Sequence, residues 1–227
     1  GSDELTLSGV NTFSGATNVD AGVLTLSGGS ALINSMAVTV NAGGTLKLAS
    51  SEEITSLAGA GAVNLQANTV TLNGGLDTAY SGVMNGAGGL VKTGTAVFTM
   101  SGANTFSGGL TIEGGMVAVS QGTGLGRGPV RLEGGGVSLI SNVTVTNAIE
   151  VVASASRLSS SLNAQSQPFR ATLAGPVSGV GSVAKVGAGT LWATGSWAPQ
   201  GGTVVQEGGL MANGRIEGAV RVEGGVL

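Results

Sequence analysis

The chain has no cysteine and no histidine, and its 227 residues carry only nine basic and twelve acidic side chains. Those two absences exclude a Ser-His-Asp or Cys-His apparatus, a thiolate nucleophile and an ordinary zinc site. They also exclude a disulfide framework, so a secreted protein of this composition must take its stability from burial and backbone pairing. The nine cations are scattered singly and the net charge is -3, which leaves no electrostatic footprint for nucleic acid. Aromatic residues make up 3 %, too few for the aromatic-rich core of a sandwich. No apolar run approaches the roughly 18 residues of a membrane helix. Proline numbers only 4 and the glycines keep no three-residue period, so the chain is not collagenous.

What is present is glycine, 43 residues of it, with 41 % hydrophobic residues. That apolar share at low net charge can bury surface, so disorder is not expected. The opening Gly1-Ser2 reads as a cloning scar, and the chain is expected to be an excised segment of something longer.

Sliding the chain by 93 residues lays it on itself. Ser8 to Gly15 falls on Ser101 to Gly108 with seven of eight positions identical, and Gly86, Gly88, Lys92 and Gly94 fall on Gly179, Gly181, Lys185 and Gly187. Three copies result, roughly residues 5–27, 80–120 and 173–213, within a single unit spanning 1–227. Each copy contains short apolar alternations bounded by Gly-Gly, such as Val38 to Leu46, Val130 to Val137 and Val220 to Leu227. In/out alternation over three to five residues marks half-buried strands, and glycine supplies the positive φ that tight corners use. No stretch carries apolar residues at helical spacing with caps. The predicted fold is all-β with almost no helix: a parallel β-helix, a solenoid of about ten coils of roughly 20 to 24 residues, about four coils to each repeat. Right-handed coiling is expected, with a rod of roughly 45–50 Å.

Tyr80 to Gly94 runs through Gly86-x-Gly88-x-Leu90-x-Lys92-x-Gly94 into Phe98 to Met100 and then Gly102-x-Asn104-Thr105-Phe106-x-Gly108-Gly109. This pattern resembles the passenger-associated transport repeat of bacterial autotransporters, the type V secretion proteins. The first copy carries Asn11 and Phe13 at the matching places; the third has Trp197 and Pro199 there, which questions whether it makes the same turn. Asn11, Phe13, Asn104, Phe106, Lys92 and Lys185 are accordingly scaffold positions. The resemblance implies a right-handed passenger stalk at the bacterial surface or outer membrane, or secreted after cleavage, exported through a C-terminal barrel that is not in this sequence. It implies no particular activity, because such repeats are shared scaffold.

The best candidate for chemistry is a corner column. Glu113 and Glu133 each precede a Gly-Gly and stand 20 residues apart, with Asp20 and Asn41 repeating the arrangement. Two carboxylates about 5 Å apart could serve a retaining glycosidase or a weak calcium site, but the position is also a turn that favours short polar residues. A solvated turn is the preferred reading, so no catalytic residue, cofactor or metal is assigned. Glu52-Glu53 reads as an exposed corner. Gly122 to Gly128 superficially resembles a phosphate loop but lacks the following helix and Gly-Lys-Ser/Thr, and reads as a coil connection. Asn142-Val143-Thr144 is a glycosylation sequon by pattern only. Lys47 stands alone.

Contact residues are sought where the repeat departs from itself. Trp192 replaces Thr6 and Thr99 and is expected to face outward between buried Leu191 and Ala193. It is either a contact anchor or is covered by Trp197, and the mutual cover is preferred because it explains both departures. Ser154 to Arg170 is the least regular stretch; a strand pair with a polar corner is preferred over a loop carrying Phe169 and Arg170 outward. The expected role is non-enzymatic: a surface stalk that displays an adhesive or host-contact region and aids passenger folding during export. Partners are a host-cell or matrix protein or another copy of the chain, besides its own barrel, and no nucleic acid. The alternatives are a β-helical polysaccharide-degrading enzyme and a cell–cell self-association module.

Overall fold

The computed structural model describes residues 3–32 and 37–227; Gly1-Ser2 lies outside the described residues. The fold is an all-β parallel solenoid. The coils lay short strands on three faces, and each strand pairs in parallel with its equivalent in a neighbouring coil. Val38–Val40, Gly44–Leu48, Glu52–Ile54 and then Leu57–Gly59 take the chain once round. Val38 to Val40 then pair with Leu57 to Gly59, which closes the coil. The first face is a continuous eleven-stranded sheet, here the long face; it sets the coil number at eleven, one more than expected. The second is split into a five-stranded and a four-stranded sheet. The third has eight strands. At about 4.8 Å per rung the long face runs about 50 Å.

Period-2 alternation places the core. In Leu110–Ile112 and Val130–Leu132 the outer two residues of each strand are buried. Register then stacks Leu90, Leu110, Val130, Ile149, Val177 and Trp197 into one inward column of the eight-stranded face. Each added coil therefore removes a few aliphatic side chains from water, at about 25 cal/mol per Å² of apolar surface buried.

The 93-residue repeat does not close a whole number of coils. Leu90–Lys92 belongs to the eight-stranded face, whereas its repeat equivalent Val183–Val186 belongs to the long face. Glu4–Ser8, Val97–Met100 and Thr190–Ala193 lie on the split, long and split faces in turn. Local pairing is nevertheless retained: Leu90 pairs with Leu110 and Val183 with Thr203, 20 residues on in both cases. The repeat thus specifies how one coil sits on the next, and not which way a side chain points around the axis.

Many corner glycines are required by crowding and not by φ. A Cβ on Gly102 would lie 1.8 Å from the carbonyl oxygen of Gly82, and one on Gly82 would lie 1.8 Å from that of Gly61. Neither has positive φ; a column of glycines lets successive corners touch. Gly115, at φ +64°, is a corner that uses left-handed backbone as expected from the sequence.

Candidate functional site

The scaffold residues act on the backbone. The split face loses its strands over two coils, between Met84–Asn85 and Thr144–Val145. There the fully buried Asn104 takes the place of a peptide group in the ladder. Its Oδ1 accepts the Met84 N–H at 2.8 Å and its Nδ2 donates to the Gly124 carbonyl at 2.8 Å. Asn11 Nδ2 donates to the Ala31 carbonyl at 2.9 Å, again 20 residues on. Asn147 Nδ2 holds the carbonyls of Gly126 and Gly128 at 3.1 and 2.7 Å. The Gly122 to Gly128 segment is thus a coil connection clamped by two asparagines, with Leu125 buried beneath it. Phe106 is fully buried, while Phe13 in the first coil is 42 % exposed.

Lys92 and Lys185 occupy core positions. Lys92 stacks between Leu72 and Ile112, Lys185 between Leu158 and Val205, and both are buried. Each aliphatic stem fills a rung while the ammonium turns to the corner. Lys92 Nζ donates to the Gly94 carbonyl. Lys185 Nζ donates to the carbonyls of Val186, Gly187 and Glu207 at 2.9, 2.7 and 3.1 Å. Burial disfavours the charged form and lowers the Lys185 pKa to about 8, partly offset by the Glu207 charge. Burial lowers Lys92 likewise, with Asp77 opposing.

Glu133, Glu150, Asp20 and Glu4 are engaged by neighbouring side chains. Glu113 and Glu133 follow paired strands and occupy adjacent rungs. Arg131 Nε donates to Glu133, and Arg131 Nη1 reaches Glu150 Oε2 at 3.1 Å, so this column is an exposed ion-pair network. Asn41 Nδ2 donates to Asp20 Oδ1 at 2.6 Å, and Lys47 pairs with Glu4 at 3.3 Å. Glu52 corrects the expectation of an exposed corner. It is 3 % exposed, and its two oxygens accept the N–H groups of Gly29 and Ala31 at 3.0 and 2.9 Å. It shares the inward parity of Ile54, and paired backbone donors are what let a carboxylate stay there. Glu53 is exposed and accepts from Asn73 Nδ2. Asn142, of the sequon, accepts the Arg170 N–H at 2.7 Å through Oδ1.

The expected mutual cover of the tryptophans is overturned. Trp197 is 1 % exposed, the largest fully buried side chain, and its Nε1 donates to Thr203 Oγ1 at 2.8 Å. It is core and not a contact residue. The third copy also does not repeat the Asn104 turn: Trp197–Pro199 is a strand on Val177–Gly179. Trp192 is half-buried and outward between buried Leu191 and Ala193. What lies over its ring is Arg170, with the guanidinium carbon 5.8 Å from the centroid. Arg170 pairs with Thr190 in the ladder, so it reaches Trp192 diagonally; Met211, 42 % exposed, follows Trp192 on the next rung.

The irregular stretch is two ladder strands on different faces joined by an excursion from the coil. Ser156–Ser160 and Arg170–Leu173 are ladder strands. Between them a short hairpin is closed by an antiparallel Leu162–Pro168 bridge, and Asn163 Oδ1 accepts the N–H groups of Gln165 and Gln167. Pro168, Phe169, Arg170, Thr190 and Trp192 line a concavity of about 300 Å³ beside it. Among the described residues no cluster of three or more acidic side chains could hold a metal ion.

The architecture defines a parallel β-solenoid built from structural repeats. The passenger-associated-transport-repeat family matches residues 1–26 and 90–119, which overlap the first and middle copies. The third copy, where Trp197 and Pro199 replace asparagine and the aromatic, is outside the match. No curated protein and no solved structure matches the chain. The repeat and the solenoid together support an autotransporter passenger domain, and the repeat family implies secretion to the cell surface or outer membrane.

Proposed function

We propose that this chain is a surface-exposed stalk segment of a passenger, presenting an adhesive or host-contact region and aiding passenger folding during outer-membrane export. The observation that carries the reading is the continuous eleven-stranded long face over a buried aliphatic core, with each coil resting on its neighbours. Such a chain can nucleate at one end and propagate, because each coil needs only the previous one as template. Folding outside the membrane then biases movement without a chemical energy source. The partner is a host-cell or matrix protein or another copy of the chain. A polysaccharide-degrading enzyme is disfavoured by the Arg131 bridge, which ties up Glu133 in the only stacked carboxylate pair singled out from sequence.

The test compares Val205→Asp with Val19→Asp in the full-length protein, both at buried positions near opposite ends. If export begins at the C-terminal end, Val205→Asp lowers surface display more. Equal or better display of the Val205 variant would leave the stalk as a spacer with no directional role.

A further inference from the structure

The geometry points to a binding site for a carboxylate-bearing sugar on the split face, formed by Arg170, Trp192, Phe169 and Pro168. It rests on the reading that the stalk presents a contact region, and it assigns that region a ligand chemistry.

Two departures from the repeat meet here. Trp192 stands where the other copies have Thr6 and Thr99. The hairpin that delivers Pro168 and Phe169 is an insertion, because Ser156 pairs with Val183 27 residues on while Val183 pairs with Thr203 after 20. Neither change serves the core: Trp192 faces out, and the hairpin stands outside the ladder. The insertion ends on the residue whose guanidinium covers the substituted ring.

Arg170 is exposed and, unlike Arg131, Arg215 and Arg221, forms no ion pair with a described carboxylate. Packing against the indole orients its planar fork without consuming its N–H donors, so an incoming carboxylate meets a pre-set bidentate partner. Phe169 and the remaining indole surface give apolar platforms for the C–H face of a pyranose, and the Thr190 hydroxyl adds a hydrogen-bonding group. About 300 Å³ accommodates one such ring. An acidic peptide fits less well. The concavity holds a single cation, and in a chain of net charge -3 further carboxylates of a peptide would be repelled.

The experiment titrates the whole chain with methyl glucuronide and with methyl glucoside, which differ by the carboxylate, and follows acrylamide quenching of tryptophan and calorimetric heat. Trp197 is buried, so quenching reports Trp192. The expected result is shielding by the glucuronide with affinity at least tenfold above the glucoside, falling to the glucoside level in Arg170→Gln. Trp192→Thr, which installs the side chain of the other copies and keeps the fold, weakens calorimetric binding at least fivefold. Equal response to the two sugars, no response to either, or unchanged glucuronide binding in Arg170→Gln overturns the site. Tighter shielding by tetraglutamate overturns it in favour of a peptide. Because binding is read on the folded chain in solution, its failure is separate from the surface-display result that tests the export role.

Discussion

Trp192 and Trp197 are five residues apart in sequence but sit on adjacent faces of one coil, Trp192 turned outward beneath the Arg170 guanidinium and Trp197 turned inward and sealed in the core against Thr203. Their fluorescence should therefore separate into a quenchable, red-shifted component and a protected one. Trp192→Thr is expected to remove only the first. A single uniform quenching constant in the unmodified chain would contradict this placement.

Lys185 makes stability depend on pH in an unusual direction. Its folded pKa is about 8 against an ordinary 10.5, so between these values the unfolded chain binds more protons and stability rises with pH. Lys92 adds to the same slope. The rise should end near pH 10, because burial raises the Tyr80 pKa and ionisation of that phenol in the unfolded chain then favours unfolding. Denaturation midpoints at pH 7.5 and 9.5 check it. Lys185→Met should show a smaller rise than the unmodified chain, and an equal rise in both would count against the assignment.

Asn104→Ala removes partners from a buried N–H and a buried carbonyl at once. A loss of about 3 kcal/mol in unfolding free energy is expected, from the cost of orphaned buried polar groups. Asn104→Asp keeps the acceptor for Met84 but sets a carboxylate oxygen against the Gly124 carbonyl at a fully buried position, so it should lose at least as much. Chemical denaturation of the two variants provides the comparison.

Gly102→Ala forces a methyl group against the Gly82 carbonyl and should cost about 2 kcal/mol or more, as overpacking against rigid backbone does. A Cβ on Gly15 would meet no atom within 4 Å, so Gly15→Ala should change stability by less than about 0.5 kcal/mol. Thermal or chemical denaturation of the two variants separates them. Similar costs at both sites would show that the glycines serve flexibility and not contact between corners.

Strand positions, the solenoid and the repeat were legible because alternation and corner glycines are local signals. Strand parity alone marks the buried charges as inward. Glu52 shares the face of Ile54, Lys92 that of Leu90, and Lys185 that of Val183. Charge argues for the surface, but nearby backbone donors and acceptors at the corners override it. The Arg170–Trp192 pair was not legible. The hairpin insertion breaks the coil spacing, so only the ladder register brings the two together.

The rotation of successive copies about the axis has an evolutionary consequence. Because each copy needs only the correct coil above and below it, duplicating a 93-residue block adds length without matching a helical phase. Stalk length can grow in units that ignore the turn, and surface substitutions in a new copy acquire a fresh compass bearing at no cost to the core. Thr99 and Trp192, equivalent in the repeat, already look out from different faces.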